Sequence, residues 1–161
     1  MSKGDILVGK KTTYNGIRMK SRLESRLAKF LDTLKIKWVY EPEHFMLSSG
    51  IIYVPDFYLP DLKMWIEAKG VIKEHNKEIS RTFVTDNNTE LILISTQKTF
   101  WFSDKDFIDG FCEDKSIWIG ECSNCNSKFF VSNLGSYHCR RCNNHEGDHD
   151  LREELKGDSI S

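Results

Sequence analysis

The chain has no apolar run long enough to cross a membrane; its longest apolar stretches are strand-sized. That excludes a spanning helix. The opening residues, MSKGDILVGKK, lack the apolar region of a secretion signal, which points to a cytoplasmic address. Internal repeats and low-complexity tracts are also absent. What remains for 161 residues is one ordinary globular domain with a small appendage. A disulfide framework is disfavoured too. There are five cysteines, an odd count, no secretion signal, and four of the five stand in Cys-x-x-Cys pairs, a pattern of reduced thiols and metal.

A large excess of one charge is missing overall, since the formal net charge is −1. The distribution is uneven, however. Residues 1–40 hold ten Lys and Arg against three acids. The last nineteen residues hold six acids against Arg152 and Lys156. A basic front suits an anionic partner near the N-terminus, with Lys20, Arg22, Arg26 and Lys29 as candidate DNA contacts. The plain alternative is a solvated helix face and a disordered tail.

Periodicity supplies the elements. Residues 1–13 read as a flexible arm, and Asn15-Gly16 as a turn into a short extended segment. SRLESRLAKFLDTLK places Leu23, Leu27, Phe30, Leu31 and Leu34 at helical spacing from Ser21 onward. IKWVYEPEHF reads as a strand ending at a Pro42 turn, and IIYVPDFYL as a second strand. After a turn at Pro60-Asp61, KMWIEAKG reads as a third, with Trp65, Glu67 and Lys69 on one face and Ile66 and Ala68 on the other. Residues 73–85 read as a polar helix, LILIST as a buried strand, and KTFWFSDKDFIDGF as a strand and helix covering the core. The expected fold is α/β, a mixed sheet flanked by helices over residues 14–118. A small cysteine unit over 119–145 and an acidic tail over 146–161, a solvated helix that frays, follow it.

Pro55-Asp56 and Glu67-Ala68-Lys69 are the chemically telling residues. A hairpin of their two runs brings Asp56, Glu67 and Lys69 together. Paired carboxylates hold a hard divalent cation through oxygen, with the Ala68 carbonyl as a further ligand. A lysine beside them steadies a phosphate or the attacking water. The bland reading is a Pro-Asp turn and an exposed ion pair worth about 0–1 kcal/mol. Glu24 has two roles open to it: Ser21-x-x-Glu24 is a capping box, yet Glu24 also borders the apolar helix face and can turn inward to a metal. Gln97 and His75 are weaker candidates for a substrate contact and an acid or base.

At these residues the chain resembles the PD-(D/E)-x-K phosphodiesterase superfamily, over roughly residues 12–100, including the Glu24 helix, YVPDFYLP, WIEAKG, the next helix and LILIST. The segment NGIRMKSRLESRLAKFLDTL is similar, more loosely, to short phage-encoded members. The resemblance implies a restriction-endonuclease-like core and Mg²⁺- or Mn²⁺-dependent DNA endonuclease activity in phage or mobile-element DNA processing. It also implies metal binding by Asp56 and Glu67, Lys69 at the attacking water, and Glu24 as an added acid. The implied setting is a bacterial or phage-infected cell. A non-catalytic nucleic-acid-binding or protein-recruiting module and an RNA-acting protein are the rival readings.

Cys122-x2-Cys125 and Cys139-x2-Cys142, thirteen residues apart, fit tetrahedral Zn²⁺ at a closed structural site. This unit resembles a zinc ribbon. His138, His145 and His149 are substitute ligands that the pattern does not need. The unit can grip DNA through Lys128, Arg140 and Arg141, bind a protein partner, or brace the main domain. Cys112 lies outside the pattern and reads as a buried apolar residue. Cutting both strands of a duplex would take a homodimer or successive nicks.

Overall fold

The computed structural model describes residues 11–103, 111–112, 117–132, 139, 141–143 and 150–160. Chain order begins with a hairpin of β1 (Thr12–Tyr14) and β2 (Ile17–Met19). Its turn is Asn15-Gly16, both at positive φ (51° and 80°), the conformation a two-residue hairpin turn requires. Thr12 and Thr13 therefore belong to a strand rather than to an arm. Helix α1 (Arg22–Thr33) follows. Ser21 caps it by accepting from the Glu24 amide at 3.2 Å, and Leu27, Ala28 and Leu31 are buried.

Next come β3 (Val39–Tyr40), β4 (Phe45–Met46), β5 (Ile52–Tyr53), β6 (Phe57–Leu59) and β7 (Met64–Ala68). IIYVPDFYL is thus not one strand. Its first half pairs with β4 in a small separate sheet, and its second half joins the main sheet. The break falls at Val54-Pro55-Asp56, where proline offers no N–H for a ladder. Helix α2 (Glu74–Asn87) then crosses over to β8 (Glu90–Ile94), which runs parallel to β7, and β9 (Thr99–Ser103) and β10 (Phe111–Cys112) follow. The main sheet has six strands in the order β10-β9-β8-β7-β6-β3, with β7–β8 its parallel pair. Among the described residues the fold is α/β with a mixed sheet and two helices. Both β7 and β8 are buried along their whole length, as expected of strands covered on both faces.

Two clusters form the core. On one face α2 and the β4–β5 hairpin cover Trp65, Leu91, Leu93, Phe100 and Phe102 with Phe83, Val84, Leu47 and Tyr53. The other face carries Leu27, Leu31, Phe57, Ile66 and Ile92 in one cluster with residues of the cysteine unit. That unit is a three-stranded sheet of β11 (Ile117–Glu121), β12 (Lys128–Ser132) and β13 (Asp150–Glu154), in the order β12-β11-β13. Ile117, Ile119, Phe129 and Phe130 pack into the same cluster as α1. Gly120 is needed where Phe129 approaches, because a Cβ there would meet the ring at 2.9 Å.

Two expectations change here. The cysteine unit begins at Ile117 and shares the core of the main domain. Residues 150–160 are neither a solvated helix nor a frayed tail: β13 pairs with β11, and Leu155 and Ile160 (in a 3₁₀ turn, Gly157–Ile160) are buried in the shared cluster. The edge of β11 offers free backbone groups, and satisfying them outweighs the helix preference of LREEL. The helix expected within KTFWFSDKDFIDGF falls on 104–110, and residues 1–10, 133–138 and Arg140 likewise lie outside the described residues, as does the Cys112 side chain. No helix among the described residues is long and apolar enough to cross a membrane.

Candidate functional site

The β6–β7 register pairs Phe57 with Ile66. One step further, Asp56 stands across from Glu67, and residues opposite each other in an antiparallel pair share a face. Lys69, two residues on, shares it too. The expected trio is therefore together. Lys69 Nζ lies 3.8 Å from Glu67 Oε2, with Glu67 buried and the Lys69 side chain 41% exposed. Asp56 is buried, and its Oδ2 accepts from the Ala68 amide at 3.0 Å. Ala68 thus contributes its N–H to the site by fixing Asp56. The Lys69 amide in turn donates to the Ile94 carbonyl at 2.9 Å, tying this end of β7 to β8.

Glu24 turns toward the cluster, and its carboxylate meets the Ser21 hydroxyl rather than the helix-start amide expected of a capping box. Ser21 Oγ caps the helix and also donates to Glu24 Oε2 at 2.9 Å. The carboxylate itself turns inward, is 3% exposed, and accepts from the Tyr40 hydroxyl at 2.8 Å. There it meets a residue that sequence reasoning missed. Glu41 sits with Glu24 and Asp56 so that one carboxylate oxygen of each lies within 4.8 Å of the others, a grouping that can hold a metal ion. The Glu41 backbone is left-handed (φ 44°), and its amide donates to the Asp56 carbonyl at 2.7 Å. That φ is uncommon for a residue with a Cβ and aims the side chain into the cluster.

Asp56 therefore stands between Glu24 and Glu41 on one side and Glu67 on the other. Burial raises its pKa well above the usual carboxylate range, and the charges of Glu67 and Glu24 raise it further; the Ala68 amide and Lys69 oppose the shift. Glu67 is raised by burial as well, against the pull of Lys69, the Tyr53 hydroxyl and Lys20. Tyr53 is a second missed residue. Its buried hydroxyl sits against Glu67 without reaching good hydrogen-bond geometry, and burial together with that carboxylate lifts its pKa far above normal. Tyr40 is raised in the same way, first by burial and then by its bond to Glu24.

Lys20, read from sequence as a DNA contact, is tied to the cluster. Its ammonium pairs with Glu41 while the Tyr40 hydroxyl accepts from its backbone amide at 3.2 Å. Burial works against its charge, but Glu41, Asp56 and Glu24 outweigh that and raise its pKa. Arg22, Arg26 and Lys29 are exposed on α1, and no carboxylate among the described residues pairs with them. Gln97 and His75 are exposed, and no hydrogen bond ties either side chain to the cluster.

The four cysteines form a second cluster. Cys122 Sγ and Cys142 Sγ are 3.6 Å apart, Cys125 Sγ and Cys139 Sγ 3.7 Å, and all four sulfurs lie within 4.8 Å of one another. Tetrahedral zinc at Zn–S distances of about 2.3 Å sets its sulfurs about 3.8 Å apart, so the group can hold a metal such as zinc. The two knuckles match. In each, an asparagine at positive φ (Asn126, 61°; Asn143, 62°) returns its amide to the first cysteine's carbonyl, at 2.9 and 2.8 Å. In each, the amide two residues on points at the first sulfur: Asn124 N to Cys122 and Arg141 N to Cys139, both 3.4 Å. Such donors favour thiolates. Without a metal, burial pushes Cys139 up to about 12, whereas the Ser127 hydroxyl lowers Cys125.

Compared with known protein families and with curated proteins, the chain matches none. The chemical reading rests on the residues themselves.

Proposed function

We propose that the protein is a metal-dependent DNA endonuclease of the PD-(D/E)-x-K kind, with a restriction-endonuclease-like core and a structural zinc ribbon, acting in phage or mobile-element DNA processing. The observation that carries this reading is the gathering of Asp56, Glu67 and Lys69 with two more carboxylates, Glu24 and Glu41, at one end of β6 and β7. The donor set fits a hard divalent ion. Four carboxylates face two ammonium groups, Lys20 and Lys69, so the ionised site lacks about two positive charges, the charge of one such cation. Magnesium or manganese held by Asp56 together with Glu24 and Glu41, or with Glu67, would supply Lewis acidity toward the phosphate and an acidified water.

The chain's own groups do the rest. The Ala68 amide locks one Asp56 oxygen and leaves the other for a ligand. Lys69, half-exposed and anchored by Glu67, reaches outward, where it can orient the attacking water and balance charge that builds on a phosphoryl oxygen. Tyr40 holds Glu24 in place. At the cysteine cluster, zinc would replace thiol protons and lock the two knuckles together.

The test is incubation with Mg²⁺ and a panel of duplex, single-stranded, flapped, branched and RNA substrates. Cleavage of DNA that disappears in Glu67→Ala and Lys69→Ala is the expected result. Wild-type activity from purified Glu67→Ala overturns the assignment. Binding without cleavage of any substrate favours a non-catalytic module, and preference for RNA an RNA-acting protein.

A further inference from the structure

The cations that the cluster does not use form a line. Arg22, Arg26 and Lys29 follow one another at helical spacing on the exposed face of α1, the face turned away from the buried Glu24. Lys35, in the turn after the helix at φ 58°, is also exposed. Lys35 opens onto a cleft between that turn, the β6–β7 turn at Asp61, and the cysteine unit, which contributes Ser127, Lys128 and Arg141. Arg141 donates from Nη1 to Ser127 Oγ at 3.0 Å, a neutral partner that fixes the guanidinium without cancelling its charge. Lys128 pairs with Glu121 at 3.1 Å, and Asp61 is the cleft's acid. Lys35 has no ion pair among the described residues.

We propose that this cleft is a phosphate site for duplex DNA, lying at the far end of α1 from the carboxylate cluster. The proposal rests on the phosphodiesterase reading and names its substrate surface. Two elements, the turn after α1 and the cysteine unit, bring cations to one cleft, and Arg141 is pre-oriented for a phosphate oxygen. The geometry sets a length. From Glu24 to Lys35 the helix axis advances roughly 16 Å at 1.5 Å per residue, about five steps of duplex at 3.4 Å per base pair. A duplex suits the track better than a single strand, because the exposed face of α1 offers no aromatic platform for bases to stack on. The cysteine unit then grips the backbone about five base pairs from the cut, and a metal on its four cysteines would hold the Arg141 knuckle in place.

The experiment measures binding of a fluorescent 30-base-pair duplex by the full chain in Ca²⁺, without cleavage, across a salt series. The variants are Lys35→Gln/Arg141→Gln and, as a control on α2, which covers the other face of the sheet from α1, Lys77→Gln. The expected result is about tenfold weaker binding and a salt slope shallower by about one to two units in the double variant, near 0.9 per lost phosphate contact. The control should keep the wild-type slope. In Mg²⁺ the double variant should show a raised KM with unchanged kcat at saturating duplex. Duplexes ending fewer than about five base pairs from the cut on the track side should lose the difference between wild type and double variant. An unchanged salt slope and KM in the folded double variant, with zinc content intact, overturns the cleft. Absence of cleavage by the wild type refutes the nuclease reading instead, and the Ca²⁺ binding series still decides the cleft.

Discussion

The cysteine cluster gathers four ligand-type side chains and the acidic site three within one ion's reach, with Glu67 beside Asp56, yet they are assembled in opposite ways. The cysteines come from two local knuckles of the same design, each closed by its own asparagine and its own amide-to-sulfur contacts. The carboxylates come from four places: the first turn of α1, the turn after β3, the break before β6 and the end of β7. A knuckle needs only a few residues in the right conformation. The carboxylate site exists only when helix, sheet and turns have all docked. The difference teaches that one site can act as a staple for the fold, whereas the other is a product of it.

The largest expected effects break the comparison on the carboxylate side. Asp56→Ala, Glu67→Ala and Lys69→Ala should each lower cleavage by about a thousandfold or more while the protein stays folded, read by single-turnover kinetics beside circular dichroism. Asp56→Asn should be equally inactive, but its thermal midpoint without added Mg²⁺ should rise, because it removes a buried charge crowded by Glu67 and Glu24 and keeps an oxygen for the Ala68 amide. A lower midpoint would mean that the charges are balanced better than the geometry implies.

The cysteine side should fail differently. Cys122→Ser should lose its zinc and several kcal/mol of stability, and metal analysis of wild type should find about one zinc per chain. Brief EDTA treatment should stop cleavage, and Mg²⁺ should restore it with zinc still bound, since thiolates hold their ion far longer than carboxylates hold magnesium. Freshly purified, reduced protein without zinc would remove the staple from the comparison.

A third substitution sharpens the link between the two regions. Phe130→Ala in β12 should cost about 3–5 kcal/mol and lower a single unfolding transition, because Phe130 shares a cluster with Leu27 and Leu31 of the Glu24 helix. Two separate transitions in calorimetry would make the cysteine unit an independent domain. The smallest effect is expected from Glu41→Gln: about tenfold weaker apparent Mg²⁺ affinity, measured as the metal concentration for half-maximal cleavage, with near-normal rate at saturating metal.

Much of this was legible in the chain itself, for physical reasons that also mark the limits. Helix α1 announced itself through five apolar residues and a capping serine, and the β1–β2 turn through Asn15-Gly16. The β6–β7 pairing followed from period-two alternation around a turn, which was enough to place Asp56, Glu67 and Lys69 together. The cysteine spacing carried its cluster. Glu41 was illegible because it lies in no periodic element; a left-handed backbone and a hydrogen bond to a residue fifteen positions away bring it in. Its one local signal is an acidic residue before Pro42, which many turns share. Tyr40 and Tyr53 looked like ordinary strand aromatics. β13 was missed because its acidic composition favours a helix, and only the open edge of β11 makes it a strand.

The left-handed backbone at Glu41 has a further consequence. A residue with a Cβ held at φ 44° costs of order 1 kcal/mol or more, and glycine at this position would relieve that cost. The Glu41→Gly variant would lose its bond to Lys20 and its place beside Asp56, yet its backbone would sit at ease. Selection for heat resistance alone should therefore favour glycine here, and selection for turnover should restore glutamate. Position 41 becomes a point where directed evolution under the two pressures should diverge, with the residue recovered reporting which pressure was applied.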